Sequence, residues 1–335
     1  MISTTIGDMS RQLMLSRQTT RMKQSISTFS QEMSSGIVRD KVKHIKGDVT
    51  MLASLEQKIA ATQLHKNLSE SIQTILGGQQ TVIESMRVDA ERISVDTLAM
   101  KNSKDSAQIS RTISLFRAGF EKSIDILNTK LAGRGLFSGD VGREAALAPP
   151  DVILSELKLA LPPGLDVDGL SDFVDSWFSE GNDFDAFGYI GGEKISSEVN
   201  LGNGISINPN TTANDKAFRV TLAGYAKVAL LSETSILMDV EQRRDMLDKA
   251  AITLMSGAAE LIDLSARIGT DEESTSIALV RAGAEHSALS IARSELITAD
   301  PHETAIKLQH AMTQLDLIFS ITARLSRFSL ADYLR

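Results

Sequence analysis

The residues able to do chemistry are few and badly spaced for it. The five histidines, His44, His65, His286, His302 and His310, are scattered along the chain. His302-Glu303-Thr304-Ala305-Ile306 begins like a zinc-protease helix, in which two histidines four apart hold the metal and the glutamate acts as base, but Ile306 replaces the second ligand. Gly133, Gly135 and Gly139 lack dinucleotide-loop spacing and follow a helical pattern rather than a strand, so they are expected to form a helix end and turn. Asp166 and Asp168 before Gly169 miss the spacing of a calcium loop, with no bidentate glutamate in place. Asn210-Thr211-Thr212 matches a glycosylation triplet, a pattern too common to carry weight. There is no nucleophile elbow and no convergent acid pair. The expectation is a non-enzyme with no catalytic, cofactor-binding or metal-ligating residues and no cofactor.

Composition points the same way. Without cysteine there are no disulfides and no thiolate metal sites. A net charge of −8 argues against wholesale phosphate binding. The locally basic beginning (Arg11, Arg17, Arg21, Lys23, Arg39, Lys41, Lys43, Lys46) shares its helix with a regular apolar stripe, and no nucleic-acid partner is expected. No run of about 18 apolar residues predicts a membrane span. Met1 to Arg11 lacks the apolar core of a cleaved secretory signal, so any export would use another route. Hydrophobic residues make up 42% of the chain but aromatics only 4%, a mix that suits helices packed on helices.

What remains to position is a set of apolar stripes. At the end of the chain, Asp300-Pro301-His302-Glu303 is a helix start: a capping aspartate, a proline with no N–H to leave unpaired, and an acid at the capping-box position. Leu308, Met312, Leu315, Phe319 and Leu325 follow, flanked by Ala311 and Ile318. So wide an apolar face needs a second helix. The first forty residues offer one, through Ile2, Ile6, Met9 and Leu13, then Met22, Ile26, Phe29 and Met33. The two ends are expected to meet, within one chain or between copies. Ile6, Leu13, Met22, Phe29, Met33, Leu308, Met312, Leu315, Phe319 and Leu325 are the candidate assembly interface.

Between the ends, a helix is predicted from Val49, with a near-seven period through Ile72, Gln79, Met86, Ile93 and Met100 that Gly77-Gly78 interrupts. A polar connector, Lys101 to Asp105, leads to a helix carrying Ile109, Ile113, Phe116, Phe120, Ile124, Leu127 and Leu131. This describes a helical hairpin. Five of the six prolines and the only tryptophan fall in 141–212, where short helices at 151–161 and 168–179 and short strands in 187–208 are expected. Helix returns after Asn214-Asp215, read as a cap. Val240, Leu247, Leu254, Leu261 and Ile268 then recur every seventh residue, and Gly269-Thr270-Asp271 pauses the pattern. The predicted fold is mainly α: a long antiparallel helical bundle or coiled coil formed by the N- and C-terminal halves, with a small inserted α+β domain. The expected division is 1–40 with 300–335 for assembly, 41–140 with 213–299 for the bundle core, and 141–212 for the outer insertion.

Certain landmarks resemble the bacterial flagellin superfamily, and within it the hook–filament junction proteins, a group of hook-associated proteins. They are Met1-Ile2-Ser3-Thr4, Met33-Ser34-Ser35-Gly36, Leu131-Ala132-Gly133-Arg134-Gly135-Leu136-Phe137-Ser138-Gly139, Ala266-Arg267-Ile268-Gly269, Ala299-Asp300-Pro301 and Ser329-Leu330-Ala331-Asp332-Tyr333-Leu334. The insertion, with Phe187-Gly188-Tyr189-Ile190-Gly191-Gly192 and Ala213-Asn214-Asp215-Lys216-Ala217-Phe218, is more similar to the junction group than to flagellin. The chain departs from the family where an asparagine and an Asp-Asp-Pro-like segment often follow Ser-Gly; here it reads Gly36-Ile37-Val38-Arg39-Asp40-Lys41-Val42-Lys43. The resemblance implies a structural component of the bacterial flagellum, extracellular, held by an export chaperone and exported unfolded by the type III route without signal cleavage. It also implies an inner tube of terminal helices, and as partners other copies of the chain, another hook-associated protein and flagellin. Two rivals stand beside this expectation: flagellin itself, and an intracellular helical scaffold or signalling protein with well-ordered ends.

Overall fold

The computed structural model describes residues 6–45, 49–101, 105–140, 144–194, 197–233 and 238–333, with side chains described between 10 and 324 except Glu233. The chain is mainly helical. In order it forms α1 (Ile6–Ser35), α2 (Lys41–His44), α3 (Val49–Ala99), α4 (Ser106–Leu127), β1 (Lys130–Leu131), β2 (Arg134–Gly135), α5 (Pro150–Leu159) and α6 (Val167–Trp177). A π-helical turn at Phe184–Gly188 follows, then β3 (Val199–Gly202), β4 (Ile205–Ile207), α7 (Lys216–Glu233), α8 (Val240–Ile297) and α9 (Pro301–Tyr333). Each pair of strands, β1–β2 and β3–β4, is an antiparallel two-stranded ribbon. No helix among the described residues is long and apolar enough to cross a membrane. Two compact units form: Met1–Gln63 with Gly283–Arg335, and Leu64–Ala282. Both α3 and α8 contribute residues to each.

The second unit holds a dense core. The predicted stripe of α4 is buried along Ile109, Ile113, Phe116, Phe120, Ile124 and Leu127, and α7 packs on it. Two glycines permit that closeness. A Cβ on Gly119 would sit 2.5 Å from the ring of Tyr225, and one on Gly257 would sit 2.6 Å from Thr221 Oγ1. α7 is thus pressed against α4 on one side and α8 on another. Lys227 of α7, itself buried, donates to Asp175 Oδ2 of α6 and to Thr253 Oγ1 of α8, each at 2.7 Å, so its charge is paired rather than stranded. Trp177, Phe178 and Phe184 form an aromatic cluster. Residues of 146–207 belong to the same continuous core as α3, α4, α7 and α8.

Several local expectations are corrected. Gly77-Gly78 does not interrupt α3, and Gly269-Thr270-Asp271 does not pause α8. One glycine costs a helix about 1 kcal/mol; burial of Leu76 and Ile83, and of Ile268 and Ala278, outweighs it. Gly78 instead makes room for the Leu136 side chain. The third long helix stops at Leu127, short of the expected Leu131. The Asn128 side chain accepts from the N–H groups of Ala146 and Leu147 at 2.9 and 2.8 Å and donates to the Leu147 carbonyl, drawing the chain out of the helix. The β1–β2 hairpin then turns through Ala132 (φ 51°) and Gly133 (φ 82°), a left-handed pair that only the glycine adopts without strain. Asp215 precedes α7 as expected, but its carboxylate is taken by the Thr212 N–H and by Lys194 Nζ.

Candidate assembly surface

In the first unit, a backbone strap joins the end of α1 to the start of α9. Gly36, at φ 69°, closes α1 by donating to the Glu32 carbonyl at 2.8 Å. The chain then pairs with residues 297–299. Val38 N donates to the Ile297 carbonyl at 3.0 Å, Ala299 N donates to the Gly36 carbonyl at 2.9 Å, and Ile37 bridges Thr298. Glu32 Oε1 accepts from Arg39 N at 2.8 Å, and Glu56 faces Arg293 and Lys41. Two of the sequence landmarks, Ser35-Gly36 and Ala299-Asp300-Pro301, are therefore hydrogen-bonded neighbours.

At the start of α9, Asp300 Oδ1 accepts from His302 N at 2.8 Å and Glu303 N at 3.1 Å, the predicted cap. These bonds, that from Glu303 first, hold the Asp300 carboxyl below the usual carboxylate value. Glu303, the expected capping-box acid, is engaged by Lys307 at 2.8 Å.

From this fixed corner α1 and α9 pack side by side. Among the less exposed positions of α1, Leu15, Thr19, Met22, Ile26 and Phe29 alternate in steps of four and three; in α9 the same steps run through Thr304, Leu308, Ala311, Leu315 and Ile318. That alternation keeps one seam toward a partner helix. Thr19 sits in it without an orphan hydroxyl, because its Oγ1 bonds to the Leu15 carbonyl.

The expected interface residues separate accordingly. Met22, Phe29, Leu308 and Leu315 lie half-buried in the seam. The residues read only as flanks are its best-covered members, Ala311 and Ile318 at 4% and 6% exposure, whereas Met312 and Phe319 remain 50% and 49% exposed. At 100° per residue, Met312 and Phe319 are carried to the edge of the face that Ala311, Leu315 and Ile318 occupy. Leu13 and Met33 are likewise exposed, as are Met14, Ile306, Leu317 and Ile321. Ile6 and Leu325 lie in α1 and α9, their side chains outside the described residues. The single stripe of the sequence is thus two surfaces: one consumed between α1 and α9, one open.

A second open stripe runs along α8 in the other unit. Ile252, Met255, Ala259, Ile262 and Ala266 are exposed in steps of three and four, while Leu254, Leu261 and Ile268 of the same helix are buried. Only the buried phase stood out in the sequence, because one residue along just Met255 and Ile262 repeat at heptad spacing, between Asp248 and Gly269. Gln79 and Gln80 were also missed. Gln80 Nε2 donates to the Ser265 carbonyl at 2.8 Å and its Oε1 accepts from Ser265 Oγ at 2.6 Å, while Gln79 Nε2 donates to the Leu136 carbonyl at 3.2 Å. The signal for Gln79 was polarity at an apolar heptad position; Gln80, one residue along, carried none. Among the described residues no three His, Asp or Glu side chains gather as metal ligands. No protein-family model matches the chain, and no curated protein does either.

Proposed function

We propose that this chain is a self-assembling structural subunit of the bacterial flagellum, an adaptor that joins hook to filament. The observation that carries the reading is the set of apolar side chains left exposed on α9 and α1 after they have paired: Met312 and Phe319 on one side of α9, Leu317 and Ile321 on another, and Leu13 and Met14 on α1. Large apolar side chains left at about half exposure or more on several sides of a helix pair offer surface for another molecule to cover. In this reading the paired ends form a long antiparallel coiled coil and the helices of neighbouring copies cover one another. The segments 1–40 and 300–335 then build an inner layer, the bundle of 41–140 and 213–299 the next, and residues 141–212 the outside. The outer stripe of α8 supports the same reading, since a helix apolar on two faces calls for cover on both.

The partners are other copies of the chain, another hook-associated protein and flagellin, with a chaperone holding the chain before type III export. The sequence landmarks that resemble the flagellin superfamily support this location. Cells lacking the gene test it by electron microscopy: bare hooks with flagellin shed into the medium are expected. Normal filaments would overturn it, and loss of the bulk filament protein itself would assign the chain to flagellin. In vitro, the sedimentation coefficient of the purified chain should rise with concentration; a strictly monomeric chain at high concentration would count against self-assembly.

A further inference from the structure

A cleft of about 500 Å³ opens in the second unit, between α3, the β1–β2 hairpin and the loop around Pro209. Its volume falls in the range that holds a small ligand, about 300–1,000 Å³. Ile75, Leu131, Leu136 and Pro209 make its apolar lining. The hydroxyls of Ser71 and Thr74, which also face it, are occupied by carbonyls of their own helix.

Three polar groups that line it have no hydrogen-bond partner among the described residues: the buried Thr212 Oγ1, Gln79 Oε1 and the Arg134 side chain. Gln79 is 3% exposed, and its Oε1 has no hydrogen-bond partner although its Nε2 is held by the Leu136 carbonyl. A buried acceptor left unpaired costs about 1–3 kcal/mol, so it favours a ligand that brings an N–H or O–H. Among the described residues that line the cleft Arg134 is the one charged side chain, and no described carboxylate pairs with it. A guanidinium at an apolar cleft selects an anion, and a carboxylate best matches its planar fork.

We infer that this cleft binds a small amphipathic carboxylate that carries an amide N–H, the chemistry of an N-acyl amino acid. The apolar chain lies against Ile75, Leu131 and Leu136, the carboxylate pairs with Arg134, and the amide donates to Gln79 Oε1. The inference does not depend on the assembly reading, because every group in it belongs to one unit of one chain.

Isothermal titration of the full-length chain with N-octanoylglycine tests it, beside the methyl ester, which lacks the charge, and octanoate, which lacks the amide. Saturable binding is expected. The ester, and separately Arg134→Gln, should weaken it by about tenfold or more. Octanoate should bind more weakly than N-octanoylglycine to the native chain, and Gln79→Leu should remove that difference. Arg134 is exposed, so its replacement leaves the core intact and keeps the test decisive if Gln79→Leu unfolds. No saturable binding, or an ester that binds as tightly as the acid, or an Arg134→Gln chain that binds like the native one, would overturn the proposal.

Discussion

The two units share α3 and α8 but are built by different rules. In Leu64–Ala282 the core is closed by large side chains: Phe116, Phe120, Phe137, Phe178, Phe184, Phe218 and Tyr225 are all fully buried. In Met1–Gln63 with Gly283–Arg335, the buried apolar side chains among the described residues are Leu52, Ile297, Ala299, Ala311 and Ile318, with no aromatic among them. A fully buried aliphatic side chain stabilises by about 1.5–3 kcal/mol, and alanine by far less, while each ordered residue loses about 1–2 kcal/mol of backbone entropy. The first unit is therefore poor in burial for the length of helix it orders. Its remaining apolar surface is available to a neighbour; the second unit also keeps an open stripe on α8, but on top of a core already closed.

The sharpest way to break that contrast is to remove one ring. Phe120→Ala should destabilise the second unit by about 3–5 kcal/mol, since the removed ring leaves a cavity among rigid neighbours. Ile318→Ala should act on α1 and α9 alone, near the low end of the 2–5 kcal/mol range for such truncations, because a two-helix seam can settle inward. Denaturant unfolding followed by circular dichroism for the whole chain, with proteolysis of the termini as the local probe, separates them. Equal effects of both on a single transition would show that the two units share one stability.

Adding atoms probes the same difference from the other side. Gly257→Val places a side chain where its Cβ already lies 2.6 Å from Thr221 Oγ1 and 2.9 Å from Thr221 Cα. Because part of that contact is backbone, α7 must move, at about 1–3 kcal/mol. Gly283→Val, in the first unit, meets nothing within 4 Å. It should lower the melting temperature far less than Gly257→Val; equal losses would remove close packing as the distinction.

How much of this could be read from the chain follows the same division. Periodic features were legible: the α4 stripe, the start of α3 at Val49, the Asp300 cap and the inward heptad of α8 from Leu247 to Ile268 all rest on local spacing and local chemistry, whereas Val240, read as the first member of that heptad, is exposed at the helix start. What escaped depends on partners distant in sequence. That Gly77 and Gly269 lie within unbroken helices follows from burial on both sides of them. That Asn128 ends α4 follows from residues 146 and 147. The open surface of α9 was half legible. The apolar residues were found, but choosing between Ala311–Ile318 and Met312–Phe319 as the seam requires the position of α1, a tertiary fact.

Charge placed on the open surface should leave the folded chain nearly untouched. Met312→Asp with Phe319→Asp replaces exposed residues, so monomer stability should change by about 0.5 kcal/mol or less per site. Assembly, read as concentration-dependent sedimentation, should be lost, because a neighbour would have to bury both charges. Ile318→Asp, in the seam, should instead release α1 from α9 in the monomer. If the double variant assembles normally, the open surface is not the contact between copies.

The smallest effect is the most local. The Asp300 carboxyl is held below its ordinary value by bonds from Glu303 N and His302 N, so the ionised form is the one that caps α9. Its contribution is complete above the unfolded aspartate value of about 4 and is lost as pH falls through the lower folded value. Stability of the first turn of α9 therefore rises with pH across that window. Amide exchange at His302 and Glu303 should accelerate beyond its intrinsic pH trend on acidification below about pH 4. Asp300→Asn keeps an acceptor for the cap but does not titrate, so its protection of the same two amides should stay level. Were the asparagine chain to show the same acid-dependent fraying, the cause would lie in another carboxylate of the corner, with Glu303, already paired to Lys307, the nearest.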